Sequence, residues 1–228
     1  MFNILLIKLI LAFCSMVYEL LLAQSLSAFL ENTVLRYSVT IGLYLISMGG
    51  GAFLAQGRLA VRSAITLLQI ETVLTLVGGG SVVLLHLLNL LGLSRLFFSL
   101  SAHLLIVLIG VLTGFELPLM MALRKKEEGK IDNLLLGVDY FGAFLGTFLF
   151  AFMFYPGLGL VPTAFLVGAL NAGASLLLWA ERDTVARSEL NCFYRWWSLQ
   201  LVFLAVMAVC LFSAGRINEF FISCYVGG

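Results

Sequence analysis

Long apolar stretches with almost no charge constrain this chain more than any other feature. Each approaches the roughly 20 apolar residues that an α-helix needs to cross a bilayer. They lie near 4–30, 39–56, 64–90, 100–123, 133–155, 158–180 and 197–215. With 62% hydrophobic and only 11% charged residues, the chain has too little polar surface to cover a soluble globule. We therefore predict an all-α fold, a polytopic transmembrane helix bundle of about seven spans.

The segments between these stretches are short. The longest has about 16 residues, between Ala180 and Trp196, and no glycine-rich phosphate loop follows a predicted strand. We therefore expect a transmembrane helical domain at 1–216 and a short C-terminal tail at 217–228. The formal charge of +1 gives no basic patch for nucleic acid, so the expected partner is the lipid bilayer.

The Lys and Arg residues between the predicted spans indicate an orientation. Ten fall on the side of the N-terminus and three on the other side. The ten are Lys8, Arg58, Arg62, Arg124, Lys125, Lys126, Lys130, Arg182, Arg187 and Arg195, and the three are Arg36, Arg95 and Arg216. Cytoplasmic loops carry an excess of positive residues, so we predict a cytoplasmic N-terminus. An odd number of spans then places the C-terminus outside.

The cysteines do not form a ligand pattern. Cys14, Cys192, Cys210 and Cys224 are scattered, with no C-x-x-C pair. They indicate neither a disulfide framework nor a zinc site. We expect no metal and no cofactor.

Four acidic residues lie inside the predicted spans, where an ionised side chain costs about 2.5–3.5 kcal/mol on insertion scales. They are Glu19, Glu71, Glu116 and Asp139. At about 1.5 Å of rise per residue, the last three lie about 9–12 Å from the cytoplasmic end and Glu19 near the middle. They are candidate ligand-binding groups. Alternatively they are protonated, or pair with Lys8 or with Tyr18 and Tyr140, and hold the bundle together.

Small and polar residues near these acids indicate close helix packing. Lys8, Ser15 and Glu19 share one face of the first helix because they are seven and four residues apart. Gly142 and Gly146, which follow Asp139, would let another backbone approach closely.

Two further features belong to the fourth and sixth spans. Pro118 follows Glu116 and frees the carbonyl of Gly114, so we expect a hinge or a broken helix there. Asn171 belongs to a small, hydrogen-bonding stripe suited to helix packing.

Short motifs recur in order along the chain. They are Ser15-Met16-Val17-Tyr18-Glu19-Leu20, Ser47-Met48-Gly49-Gly50-Gly51-Ala52, Gly114-Phe115-Glu116-Leu117-Pro118-Leu119, Asp139-Tyr140-Phe141-Gly142-Ala143-Phe144-Leu145-Gly146 and Pro156-Gly157-Leu158-Gly159-Leu160. Together they resemble the membrane domain of polytopic, spermidine-synthase-like bacterial proteins over roughly 10–180. The resemblance implies a multi-pass protein of the bacterial inner membrane. It also implies a following aminopropyltransferase domain, which transfers a propylamine group from decarboxylated S-adenosylmethionine to a diamine.

No position in this chain matches the catalytic residues of that domain, so we expect a non-enzymatic membrane module. Its candidate site for a cationic, polyamine-like ligand is Glu19, Glu116 and Asp139, with Tyr18, Tyr140 and Glu71 as further candidates. Its expected partners are a cytosolic or fused aminopropyltransferase-like domain and a second copy of the chain. The alternatives are a small secondary transporter or proton-coupled carrier, and an intramembrane enzyme or assembly factor.

Overall fold

The structure is a computed structural model that describes residues 2–55, 62–92, 94–123 and 130–226. These residues form seven main α-helices and no β-strand. The helices are α1 (Phe2–Leu30), α2 (Thr33–Leu54), α3 (Ser63–Leu90), α4 (Arg95–Leu123), α5 (Lys130–Leu149), α6 (Leu160–Leu176) and α7 (Leu190–Val226). Seven helical segments are long and apolar enough to cross a membrane by length and composition. The prediction of an all-helical fold with seven helices is confirmed.

Short irregular helices connect the last three elements. A π-helical turn at Phe150–Phe154 and a final turn at Tyr155–Leu158 extend α5. The chain then reverses at Gly159, whose φ of 83° is readily adopted only by glycine. The Thr163 hydroxyl donates a hydrogen bond of 2.6 Å to the Gly159 carbonyl and fixes the start of α6. Two 3₁₀ turns, Leu177–Thr184 and Arg187–Glu189, lead from α6 into α7.

Helix α1 lies at the centre of the bundle. It contacts α2, α3, α4, α5 and α6, and its buried residues cover most of its circumference. A helix that is apolar all round is typical of such a central position. On one side of α1, α2 packs closely against α4, and on the other, α6 packs against α3 and α7.

Glycines bring the helix backbones into direct contact. A Cβ at Gly114 would overlap the Met48 carbonyl, so α2 and α4 touch through their main chains. A Cβ at Gly142 would lie 2.5 Å from the Leu9 carbonyl oxygen, and one at Gly146 would lie 2.8 Å from that of Phe13. The Gly142 and Gly146 pair therefore forms the contact between α5 and α1, as small residues do in lipid-embedded bundles.

Several sequence expectations differ from the structure. Helix α4 is continuous through Pro118, so the expected break is absent. One lost backbone hydrogen bond does not break a helix that also packs tightly along its length. Helix α7 begins before the predicted span at 197–215 and continues to Val226, so residues 217–226 of the expected short C-terminal tail are helical. Apolar residues such as Phe220 and Ile222 continue the helix.

Candidate functional site

An acidic cavity of about 330 Å³ lies between α1, α2, α4 and α5. Its wall is mostly apolar, but four residues with formally charged side chains line it: Lys8, Glu19, Glu116 and Asp139. Lys8, Ser15 and Glu19 come from one face of α1, at the spacing noted in the sequence. Glu116 comes from α4, beside Gly114 and Pro118, and Asp139 comes from α5. The two close glycine contacts bring α2 against α4 and α5 against α1, and so position these walls.

An ion cluster forms part of the cavity wall. The Lys8 Nζ lies 3.2 Å from Glu116 Oε2 and 2.7 Å from Asp139 Oδ1. The Ser15 hydroxyl donates a hydrogen bond of 2.8 Å to Glu116 Oε1. Each Glu116 oxygen therefore has a donor, which a carboxylate that is only 1% exposed needs. The Asp139 side chain is 28% exposed and so is the more accessible of the two acids.

Glu19 differs from the other two acids. It lines the cavity and is 4% exposed, yet it makes no hydrogen bond or ion pair with any residue that the structure describes. With one ammonium among three carboxylates, the cavity has a formal excess of two negative charges. A buried, unpaired charge is unfavourable, so this arrangement favours an added cation.

Lys8 was counted among the positive residues that flank the first span, and the structure corrects that assignment. Lys8 lies inside α1 and its side chain is 3% exposed. Its ammonium serves as counter-ion for Glu116 and Asp139. The sequence left open that the buried acids bind no ligand and pair with Lys8 instead. Arg58, Arg124, Lys125 and Lys126 lie outside the described residues, and the orientation of the chain stays a prediction.

The remaining candidate residues are divided between the cavity and the bundle interior. Tyr140 lines the cavity and is largely exposed. Tyr18 is buried against Gly78 of α3 instead, and its hydroxyl has no partner in the described part of the chain. Glu71 is fully buried away from the cavity, and neither of its carboxylate oxygens has a hydrogen-bond partner among the described residues. The structure therefore does not bring Tyr18 or Glu71 into the cavity wall.

A second polar cluster joins α3, α6 and α7. The Asn171 Nδ2 donates to the Glu71 carbonyl and to Thr75 Oγ1, both at 3.2 Å. The Gln200 Nε2 donates to Thr75 Oγ1 at 3.0 Å and to Ser175 Oγ at 2.6 Å. Asn171 therefore connects helices and does not face the cavity.

Sequence reasoning did not identify Tyr44, which lines the cavity and donates a hydrogen bond of 3.0 Å from its hydroxyl to the Ser15 carbonyl. A tyrosine in an apolar span is a weak signal, because the sequence does not reveal which helix it meets. Among the described residues, no group of three or more His, Cys, Asp or Glu side chains is arranged to hold a metal ion.

Several curated proteins are similar to this chain. A polyamine aminopropyltransferase of Leptospira interrogans is 40% identical over 170 residues, which are 74% of this chain and 33% of that protein. Polyamine aminopropyltransferase 2 of Ralstonia nicotianae is 33% identical over 183 residues, 78% of this chain and 36% of that protein. The polyamine aminopropyltransferase of Oceanobacillus iheyensis is 33% identical over 193 residues, 77% of this chain and 35% of that protein.

This chain spans about a third of the length of the curated relatives that it matches. No family model matches it, and no solved structure does. The relatives' names correct one expectation. A non-enzymatic module was expected, whereas the relatives are named as aminopropyltransferases, which are enzymes, so that expectation is not supported.

Proposed function

We propose that this chain is the membrane-embedded helical part of a polyamine aminopropyltransferase, and that its acidic cavity receives the amine substrate. One observation carries the proposal. In a chain similar to polyamine aminopropyltransferases, three carboxylates surround a cavity that already holds an alkylammonium group, that of Lys8. A polyamine ends in the same chemical group.

The chemistry of the transfer reaction determines which step the cavity can serve. The nitrogen of an uncharged amine attacks the aminopropyl carbon that is bonded to the sulfonium of decarboxylated S-adenosylmethionine. A carbon–nitrogen bond forms, the carbon–sulfur bond breaks, the thioether leaves with the bonding electron pair, and the amine loses a proton. The described residues contain no β-strand and hence no α/β nucleotide fold. We therefore assign the transfer step to an aminopropyltransferase domain, fused or separate, and amine capture to the helices.

The location of the cavity supports this division of roles. Glu116 lies one to two turns before the C-terminal end of α4, and Asp139 lies within the first half of α5. The segment 124–129 that joins these helices carries three of the positive residues that predict the cytoplasmic side. On that orientation, the ion cluster lies in the cytoplasmic half of a bilayer, within reach of a separate transferase domain in the cytoplasm, whereas a domain fused after seven spans would lie on the other side. Membrane location is itself part of the proposal.

Product formation tests the proposed function. Membranes are prepared from cells that lack aminopropyltransferases and express the protein from its complete reading frame, and from cells with an empty vector. They are incubated with putrescine and decarboxylated S-adenosylmethionine, and spermidine is quantified by mass spectrometry. We expect spermidine only in membranes that contain the protein. Equal amounts in both preparations would contradict the proposal, with a known soluble aminopropyltransferase added to a third sample as the control for substrate quality.

A further inference from the structure

We infer that the acidic cavity is a site for a short linear diamine, and that Lys8 is an internal ammonium which the diamine displaces from Asp139. In the loaded site, Lys8 stays on Glu116, one ammonium of the diamine binds Asp139, and the other binds Glu19. This inference rests on the proposed function for the identity of the amine. The residues themselves supply its geometry and charge.

The first support is the chemistry of the group that the cavity already holds. Lys8 presents an unbranched alkyl chain that ends in a primary ammonium, and this ammonium contacts two carboxylates at 3.2 and 2.7 Å. A cavity with apolar walls and carboxylates at the ammonium position is complementary to any ligand of that form. An alkyl diamine carries such an ammonium group at both ends of its chain.

The second support is Glu19, which is independent of the ion cluster. Its carboxylate is buried in the cavity wall without a partner among the described residues. A buried carboxylate that lacks any donor is unfavourable, and in an apolar bundle it marks a place that a ligand can complete. Lys8 already serves Glu116 and Asp139, so the missing cation has to come from outside the cluster.

The third support is the balance of charge. Three carboxylates and one ammonium leave an excess of two negative charges in the cavity. A dication neutralises this excess and leaves the Lys8–Glu116 pair in place. Asp139 is the acid that exchanges its partner, because its side chain is 28% exposed whereas that of Glu116 is 1% exposed.

The fourth support is size. The cavity volume of about 330 Å³ lies at the lower end of the range of small-molecule sites. The hydroxyl of Ser15 bonds to Glu116, so the ion cluster reaches the level of Ser15 on α1. Glu19 follows four residues later, about 6 Å further along the helix. A short alkyl chain with an ammonium at each end spans that separation.

Binding of putrescine tests the inference. The full chain is purified in lipid nanodiscs, and radiolabelled putrescine is titrated by equilibrium dialysis without any aminopropyl donor. We expect Glu19→Gln and Asp139→Asn each to weaken putrescine binding by at least about tenfold, because each removes one ammonium partner. Arg62→Met is the matched control, because its pair with Glu189 lies on the surface. It should bind like the wild type.

The Lys8→Met variant shows whether Lys8 competes with the ligand or only stabilises the structure. If Lys8 competes with the ligand, its removal should tighten putrescine binding by about tenfold, because a third carboxylate becomes available. The double variant with Lys8→Met and Glu116→Gln keeps the formal charge of the wild-type cavity and frees Asp139 from Lys8, so it should bind putrescine at least as tightly as the wild type does. This double variant also provides the test if Lys8→Met alone does not fold.

Two results would overturn the inference. One is equal affinity of the wild type and the Glu19→Gln variant. The other is weaker putrescine binding by a folded double variant than by the wild type. The outcome is independent of the proposed function, because no transfer takes place in the assay. If the protein makes spermidine but its Glu19→Gln variant binds putrescine normally, the inferred diamine site is wrong and the proposed enzymatic function still stands.

Discussion

At the scale of single residues, hydrogen bonding separates the buried acids into two kinds. Glu116 has Lys8 and Ser15 as donors, whereas Glu19 and Glu71 have none among the described residues. The sequence predicts that Lys8, Ser15 and Glu19 share a face, because helical periodicity depends on one chain segment only. It could not assign the partners across α4 and α5, because those contacts depend on how the helices rotate and pack.

The Ser15 hydroxyl provides a test of the ion cluster. Ser15→Ala should lower the free energy of unfolding by about 1.5–3 kcal/mol, because the buried Glu116 carboxylate loses one of its two hydrogen-bond donors. Denaturant titration in detergent micelles measures the change. Ser198→Ala is the matched control, because Ser198 is exposed and bonds to a carbonyl of its own helix. Its effect should stay within about 0.5 kcal/mol, and an equal loss in both variants would argue against a special role for Ser15.

At the scale of helices, small residues determine which helices meet. The motif around Gly142 and Gly146 predicted close packing, and both glycines lie against α1. The glycines of α3 at 78–80 leave the helix unbroken, with Gly78 against Tyr18 and Gly79 against Gly168. The helix break expected at Pro118 was wrong. A sequence shows that proline lacks a backbone N–H donor, but it does not show the neighbouring helix that supports the turn.

Substitution of Gly114 tests the contact between α2 and α4. Gly114→Ala should lower the free energy of unfolding by about 1–3 kcal/mol, because the new Cβ would overlap the Met48 carbonyl and force the helices apart. Gly50→Ala is the control on α2. It meets nothing within 4 Å and should be neutral or stabilising by up to about 1 kcal/mol. Thermal unfolding in micelles that shows no difference between the two variants would refute this contact.

The polar cluster that joins α3, α6 and α7 predicts energetic coupling between helices. Thr75 accepts hydrogen bonds from Asn171 and Gln200 in a fully buried position. A double-mutant cycle with Thr75→Val and Gln200→Leu should give a coupling free energy of about 0.6–1.7 kcal/mol. Strictly additive single effects in the same unfolding assay would show that the bond between these two side chains adds no stability.

At the scale of the whole molecule, an all-helical fold of seven helices followed from hydropathy alone, because each long apolar run has to satisfy its own backbone. The helix ends were less predictable, since α2 starts at Thr33 and α7 runs to Val226, beyond the predicted spans. The function was misjudged for a different reason. The chain matches about a third of its relatives' length. The packing of these helices does not reveal the chemistry of the other two thirds of those relatives.

The predicted orientation can be tested directly. The distribution of Lys and Arg predicts a cytoplasmic N-terminus, and seven spans place the two ends of the bundle on opposite sides. A reporter that is fluorescent only in the cytoplasm should be active when fused before α1 and inactive when fused after Val226. Activity in both fusions would mean an even number of spans.

The central claim is that the acidic cavity supplies the amine to the transferase, and steady-state kinetics of Glu19→Gln test it most directly. Initial rates of aminopropyl transfer are measured in membranes as a function of putrescine and of decarboxylated S-adenosylmethionine, with Glu31→Gln as a control on an exposed glutamate. We predict that Glu19→Gln raises the KM for putrescine by at least about tenfold and leaves the KM for the donor unchanged. Unchanged kinetics for both substrates would contradict the account.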